Sequence, residues 1–207
     1  MKVLIYFHVD QHRMKGEMRM SYDVIILGGG ISGLSAALYT GQAQLKTLVF
    51  DTGASQITRV SKLNNYPGIE VISGEELISV YRKQAEAYGA EVRDEEVASA
   101  KKEGEEFLVE TASGTYRSKY LVVSSNANSS LLSDFGIELE VNPRIPRPIN
   151  QMKDGDGSGE TSIENLYVAG LLAGLPSQAV IAAGQGASVA VKIATKALEK
   201  PYMWHDV

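Results

Sequence analysis

An apolar run, Val24-Ile25-Ile26-Leu27, ends in three consecutive glycines, and Ile31-Ser32-Gly33-Leu34 continues in a helical pattern. A G-x-G-x-x-G between a strand and a helix fixes the start of a βα unit and is the fingerprint of dinucleotide binding in its required setting. Gly28 allows the tight turn, Gly30 lets the backbone approach a pyrophosphate, and Gly33 lets the helix pack close to the strand. The unpaired N–H groups and the positive dipole end of such a helix favour an anion.

Leu45 to Asp51 reads as the second strand of the same unit, and Asp51 follows Gly33 by 18 residues. A βαβ unit places there the carboxylate that accepts hydrogen bonds from ribose hydroxyls. Asp51 favours a free ribose, as in FAD or NAD, over a 2′-phosphate. The alternative is a glycine turn in a parallel sheet that holds no ligand.

The 207 residues suit one domain, or one with a small appendage, and 44% hydrophobic residues suffice for a core. A net charge of −5 lacks the electrostatic footprint of a nucleic-acid binder. There is no cysteine, so disulfides, thiolate metal sites and a dithiol relay are excluded within this chain. That usage fits a cytoplasmic location. His8, His12 and His205 make no convincing metal set. No membrane partner is expected, because the most apolar stretch, Leu166 to Ala183, is cut by Pro176, Ser177 and Gln178. Val3 to Phe7 is soon followed by charges and lacks a cleavage site, so residues 1–20 read as an extension outside the core fold, not a signal peptide. Residues 21–200 read as the domain and 201–207 as a tail.

The first helix is expected over Ser32–Gln42. Periodicity is lost from Thr52 to Gly68, a length of loop that is usually functional. Ser73-Gly74-Glu75-Glu76 is a capping box opening a helix to Tyr88, with Leu77, Tyr81, Ala85 and Tyr88 on a core face and Gly89 as the stop. The period then changes to two: strands are expected over Glu91–Val97, Glu106–Thr111 and Lys119–Val123, as a small antiparallel meander. Asn126 to Glu164 is loop-rich, stiffened by Pro143, Pro146 and Pro148. Asp154 to Gly159 alternates acids and glycines as a calcium loop does, but Asn165 stands where its closing glutamate belongs. Leu166–Gly170 is a last core strand, and Ser177 is placed to cap a final helix running to about Glu199. Its small residues, from Ala179 to Ala187, allow close packing on a sheet or a planar ligand.

In this order, Asp23 to Asp51, Asn65-Tyr66-Pro67-Gly68, Leu166 to Gly170 and Gln178 to Ala187 resemble the FAD domain of the thioredoxin-reductase family. The resemblance is strongest to its small, single-domain relatives and covers nearly all of residues 21–200. It implies an α/β, FAD-binding Rossmann-like three-layer fold: a parallel sheet, a small antiparallel β-meander, and helices on both faces. Gly28, Gly30, Ile31, Ser32 and Gly33 would hold the FAD pyrophosphate. Asp51, with Thr52 beside it, would hold the adenosine ribose, and the main chain at Val97 would meet the adenine. Asn65 would lie beside the flavin, Gly170 and Leu171 near its ribityl chain. Gln178 and Ala179 would face the isoalloxazine ring, where a helix N-terminus favours the negative charge of a reduced flavin.

The departures from the family are equally informative. Only about 40 residues separate Val123 from Leu166, with no second glycine fingerprint, so the NADPH-binding domain that the family inserts there is missing. A single βαβ unit already needs roughly 30 residues. Without a Cys-x-x-Cys pair, this chain alone cannot carry out dithiol–disulfide exchange. Leu171 stands where the family has an aspartate, and Ser124-Ser125-Asn126 replaces Ala-Thr-Gly. The resemblance therefore implies an oxidoreductase-like flavoprotein that exchanges electrons with free NAD(P)H, a diffusible acceptor or a redox partner protein; a homodimer is compatible with it. The alternative is a protein that holds FAD or another adenine dinucleotide without turnover. No catalytic acid or base stands out.

Overall fold

The computed structural model describes residues 20–127 and 129–205. His8, His12 and the rest of the expected extension up to residue 19 lie outside them. The first strand, β1 (Met20–Leu27), opens one residue before the expected domain boundary, with Met20 paired to Tyr116. It leads through the glycine turn into α1 (Ile31–Gln42), and β2 (Thr47–Asp51) returns parallel to β1. After a long loop containing a 3₁₀ turn at Gln56–Arg59 comes α2 (Gly74–Ala87). Its capping box forms as read: the Glu76 amide donates to Ser73 Oγ at 3.2 Å and the Ser73 amide to Glu76 Oε2 at 3.0 Å.

Residues 91–97 are not one strand. They divide into β3 (Glu91–Asp94), parallel to β2, and the start of β4 (Val97–Glu103), antiparallel to β5 (Glu106–Thr111). The alternation continues across the break, but the chain must change partners there, and Glu95 N–H turns back to the Asp51 carbonyl at 2.9 Å. The third meander strand, β6 (Gly114–Val123), is twice the expected length because, opposite its edge on β1, it serves two neighbours in turn. Its first half pairs antiparallel with β5, while Leu121–Val123 pairs parallel with β9 (Leu166–Val168). The main sheet runs in the order β3-β2-β1-β6-β5-β4. The loop-rich stretch contains a short helix, α3 (Ser130–Asp134), and a two-stranded ladder of β7 (Leu139–Val141) with β8 (Asn150–Met152).

Period-two alternation with both faces buried explains the apolar run of β1. Val24 and Ile26 point to one face, where α1, α2 and the final helix α4 (Ala179–Ala197) supply Leu34, Ala37, Ala85, Val189 and Ile193. Ile25 and Leu27 point to the other, against Phe107 and Val109 of the meander and Leu131 and Leu132 of α3. Three layers result, with the longer helices all on one side. α1 is buried almost all round, not along one stripe. Tyr88, expected in the core, is 44% exposed. Its ring meets Trp204 edge-on at 5.0 Å, and Trp204 also meets Tyr39 at 5.2 Å, so the tail lies against the ends of α1 and α2. Among the described residues no helix is long and apolar enough to cross a membrane.

Candidate functional site

The order of the sheet reverses direction at β1, whose neighbours β2 and β6 are reached by connections going opposite ways. Ligands of open α/β sheets sit beyond the carboxyl ends of the strands at such a point. A cleft of about 180 Å³, open to solvent, lies there. Its walls are the segments following four parallel strands: Gly28–Ser32 after β1, Asp51–Thr52 and Ala54–Ile57 after β2, Ser124–Ala127 after β6, and Gly170–Leu171 after β9. Ser177, Gln178, Ala179 and Ala182, at the start of α4, close it.

Each glycine of the fingerprint has its own spatial reason. Gly28 has φ +112°, and a Cβ there would lie 2.7 Å from Ser125 Cβ. A Cβ on Gly29 would lie 2.5 Å from the Asp51 carboxylate, so the middle glycine, which the motif leaves free, is also required. Gly30 has an ordinary φ of −74°. Its constraint is the cleft itself: a Cβ would meet only Ser55 Oγ, at 3.4 Å, and would occupy ligand space. Gly33 lies beneath the cleft, not in its wall; a Cβ there would be 1.9 Å from the Gly28 carbonyl oxygen. Close helix–strand packing is thus its purpose.

Two helices aim their N-termini into this one cleft. Gly30 is the N-cap of α1 and Gln178 that of α4, and neither makes a side-chain cap bond. Ser177 lines the cleft and does not cap α4 as the sequence suggested. The first-turn amides of both helices keep their donors for a ligand, and both dipoles favour negative charge there. Asp51 presents its carboxylate from the end of β2, with Oδ1 accepting from Gly53 N–H at 3.1 Å and Gly29 N–H at 3.3 Å. Ser124 Oγ donates to the Gly28 carbonyl at 2.8 Å, joining the end of β6 to the glycine turn. Asn126, in the same wall, buries its Oδ1 without a protein partner among the described residues.

Ten of the residues expected at the cofactor line the cleft: Gly28, Gly30, Ile31, Ser32, Asp51, Thr52, Gly170, Leu171, Gln178 and Ala179. Asn65 stands outside it but donates from Nδ2 to Gln178 Oε1 at 2.9 Å, across 113 residues of sequence. Val97 is buried in the core at the start of β4 and does not line the cleft. Behind the start of α4, Tyr81 shares a short hydroxyl–hydroxyl contact with Tyr66, in the cluster that also holds Ala179 and Ala182. Burial, then that bond, raises the Tyr81 hydroxyl well above its ordinary range. The lining residues not assigned to the cofactor from sequence are Gly29, Ala54–Ile57, Ser124–Ala127, Ser177 and Ala182. The signals for them were the aperiodic Thr52–Gly68 loop, the unusual Ser-Ser-Asn turn and the run of small residues from Ala179 to Ala187.

No protein-family model matches the chain. Among curated proteins, a thioredoxin reductase of Treponema pallidum is 40% identical over 113 residues, 53% of this chain and 37% of that protein. A thioredoxin reductase of Listeria monocytogenes is 35% identical over 120 residues, 56% of this chain and 37% of that protein. The chain thus spans little more than a third of the length of these relatives. Among solved structures, a thioredoxin reductase from Gloeobacter violaceus superposes with a TM-score of 0.73 at 20% identity, covering 91% of this chain and 99% of that one. An oxidoreductase from Agrobacterium tumefaciens gives 0.73 at 17% identity, covering 87% and 99%. The chain is related in sequence to thioredoxin reductases over about half its length, and its α/β fold is that of these structures.

Proposed function

We propose that this chain is an FAD-binding, oxidoreductase-like protein that exchanges electrons without dithiol chemistry. The observation that carries the reading is the convergence of two uncapped helix N-termini on one cleft that also holds the Asp51 carboxylate. A ligand matching that pattern is anionic in two places and carries a ribose between strand ends. FAD fits: a pyrophosphate at Gly28–Ser32, a ribose at Asp51 and Thr52, and a flavin at Gln178 and Ala179. The space at Gly30 and the unpaired Asn126 Oδ1 suit a bound group. When bound, FAD supplies the redox chemistry; the chain binds, orients and sets the local field. The start of α4 favours charge gathered at the nearby end of the ring, and Asn65 fixes the Gln178 amide that faces it.

With no cysteine, this chain does not itself reduce a disulfide through a dithiol. It exchanges electrons with free NAD(P)H, a diffusible acceptor or a redox partner protein, in a cytoplasmic setting. The absence of cysteine, and of a second glycine fingerprint between Val123 and Leu166, favours a second reading in which the dinucleotide is held without turnover.

Thermal melts of verified apo protein with FAD, FMN or NAD⁺ test the cofactor. A hundredfold excess over the dissociation constant stabilises by about 2.7 kcal/mol. For a domain of this size that raises the midpoint by about 5–11 °C. FAD should do so and the other two should fall well short. An unchanged midpoint with FAD would sink the proposal.

A further inference from the structure

The segment Gly170–Gln178 enters the cleft twice, at Gly170–Leu171 and again at Ser177–Gln178. Between these points it has little secondary structure of its own: a 3₁₀ turn over Gly170–Ala173 ending at Gly174 in the left-handed region, φ +80°. Besides the Asn65–Gln178 bond, it has two anchors from residues that do not line the cleft. Gln185, 7% exposed on the second turn of α4, accepts from Gly170 N–H at 2.8 Å through Oε1 and donates to the Val168 carbonyl at 3.3 Å through Nε2. Arg144, on the connection between β7 and β8, donates from Nη1 to the Gly174 carbonyl at 3.1 Å.

The Arg144 anchor is itself built. Its N–H donates to Asn142 Oδ1 at 2.9 Å, and Asn142 is 1% exposed with its own N–H on the Ile149 carbonyl at 2.8 Å. Pro143, Pro146 and Pro148 restrict the same connection. The β7–β8 ladder therefore presents a guanidinium from a stiff support to the middle of a segment whose two ends shape the cleft.

We propose that Gln185 and Arg144 are positioning residues for the cofactor, holding Gly170–Gln178 from its two outer sides. Gln185 sets Gly170 and hence the Leu171 wall. Arg144 sets Gly174 and hence the approach of Ser177 and Gln178. This rests on the flavoprotein reading above, and it assigns the β7–β8 ladder a purpose: it supports the flavin end of the cleft.

The test loads full-length protein with FAD and measures the dissociation constant by flavin fluorescence and the visible circular dichroism of the bound flavin. The variants are Arg144→Met, Arg144→Lys and Gln185→Met. Arg144→Met should weaken FAD binding by about fivefold to tenfold, as expected for one lost charge-assisted hydrogen bond at an exposed site. It should also change the flavin dichroism, which a contact serving only the ladder would leave alone. Arg144→Lys, which keeps one donor, should recover most of both. Gln185→Met should weaken binding further, since it leaves two buried backbone groups unpaired. Should Gln185→Met fail to fold, the exposed Arg144 pair decides. Wild-type affinity and dichroism in Arg144→Met would overturn this inference and leave the flavoprotein reading intact. A wild type that takes up no FAD would overturn both.

Discussion

Gly30→Val should separate folding from ligand binding, with Gly33→Ala as its counterpart. At Gly30 the nearest atom to a new Cβ is Ser55 Oγ at 3.4 Å, an ordinary contact, and φ is −74°. The fold loses only the better N-cap, about 1 kcal/mol, or roughly 2–4 °C in midpoint. The branched side chain projects into the cleft, where an overlap costing about 3 kcal/mol is about a hundredfold in affinity. At Gly33 the new Cβ would lie 1.9 Å from the Gly28 carbonyl oxygen and 2.5 Å from Ser124 Oγ. The carbonyl belongs to the glycine turn and cannot swing aside, so α1 must move. That places Gly33→Ala at the upper end of overpacking costs, roughly 3 kcal/mol and 6–12 °C. Melts of both apo variants, followed by FAD titration, give the two readouts. Wild-type FAD affinity in Gly30→Val, or a wild-type midpoint in Gly33→Ala, would refute the account of the glycine turn.

Leu171→Asp should tighten FAD binding, because a carboxylate in this wall can accept from a ribityl hydroxyl, a bond worth about 1.5–3 kcal/mol before desolvation; tenfold weaker binding in a folded variant would place that chain elsewhere. The Glu76 carboxyl is held below its ordinary value of 4.5, first by the Ser73 amide and then by its hydroxyl. Its contribution is complete above the ordinary value and lost as pH falls through the lowered one. The midpoint gap between wild type and Glu76→Gln should therefore be present at neutral pH and close in acid; a gap that ignores pH would contradict the capping box. FAD-loaded protein, anaerobic and alone, should be reduced slowly by NADPH or NADH without saturation, since the described residues form no second nucleotide-binding unit to position the nicotinamide. Stopped-flow absorbance showing fast, saturable reduction would defeat that expectation, while complete resistance, with dithionite still effective, would favour holding without turnover.

How much of this was legible in the sequence depends on whether side chains or backbone carry the feature. Gly28 to Leu34 was readable because each glycine answers a steric demand, and Ser73–Glu76 because its two bonds are local. Glu106–Thr111 has the residues of β5 to the letter, its alternation being uninterrupted. The break between Asp94 and Val97 was hidden because alternation reports a face and not a partner. β7 and β8, three residues each and largely exposed, leave no periodic trace. Ser177 was a reasonable cap by type, yet α4 begins at an uncapped Gln178, because that helix end opens on the cleft. The Asn65–Gln178 pair joins residues that no local pattern connects; only the family resemblance placed both at one end of the cofactor. The same resemblance assigned only the main chain at Val97 to the adenine, and the Val97 side chain packs into the core. Ala54–Ile57 shapes the cleft in a segment with no motif.

The central claim is that the cleft beyond β1, β2 and β6 is made for FAD. The most direct measurement is the visible absorbance of the purified protein, with excess FAD added and removed by gel filtration if the preparation is colourless. The account predicts a yellow protein that keeps about one flavin per chain and releases intact FAD on denaturation. A folded protein that emerges colourless from saturating FAD would contradict it.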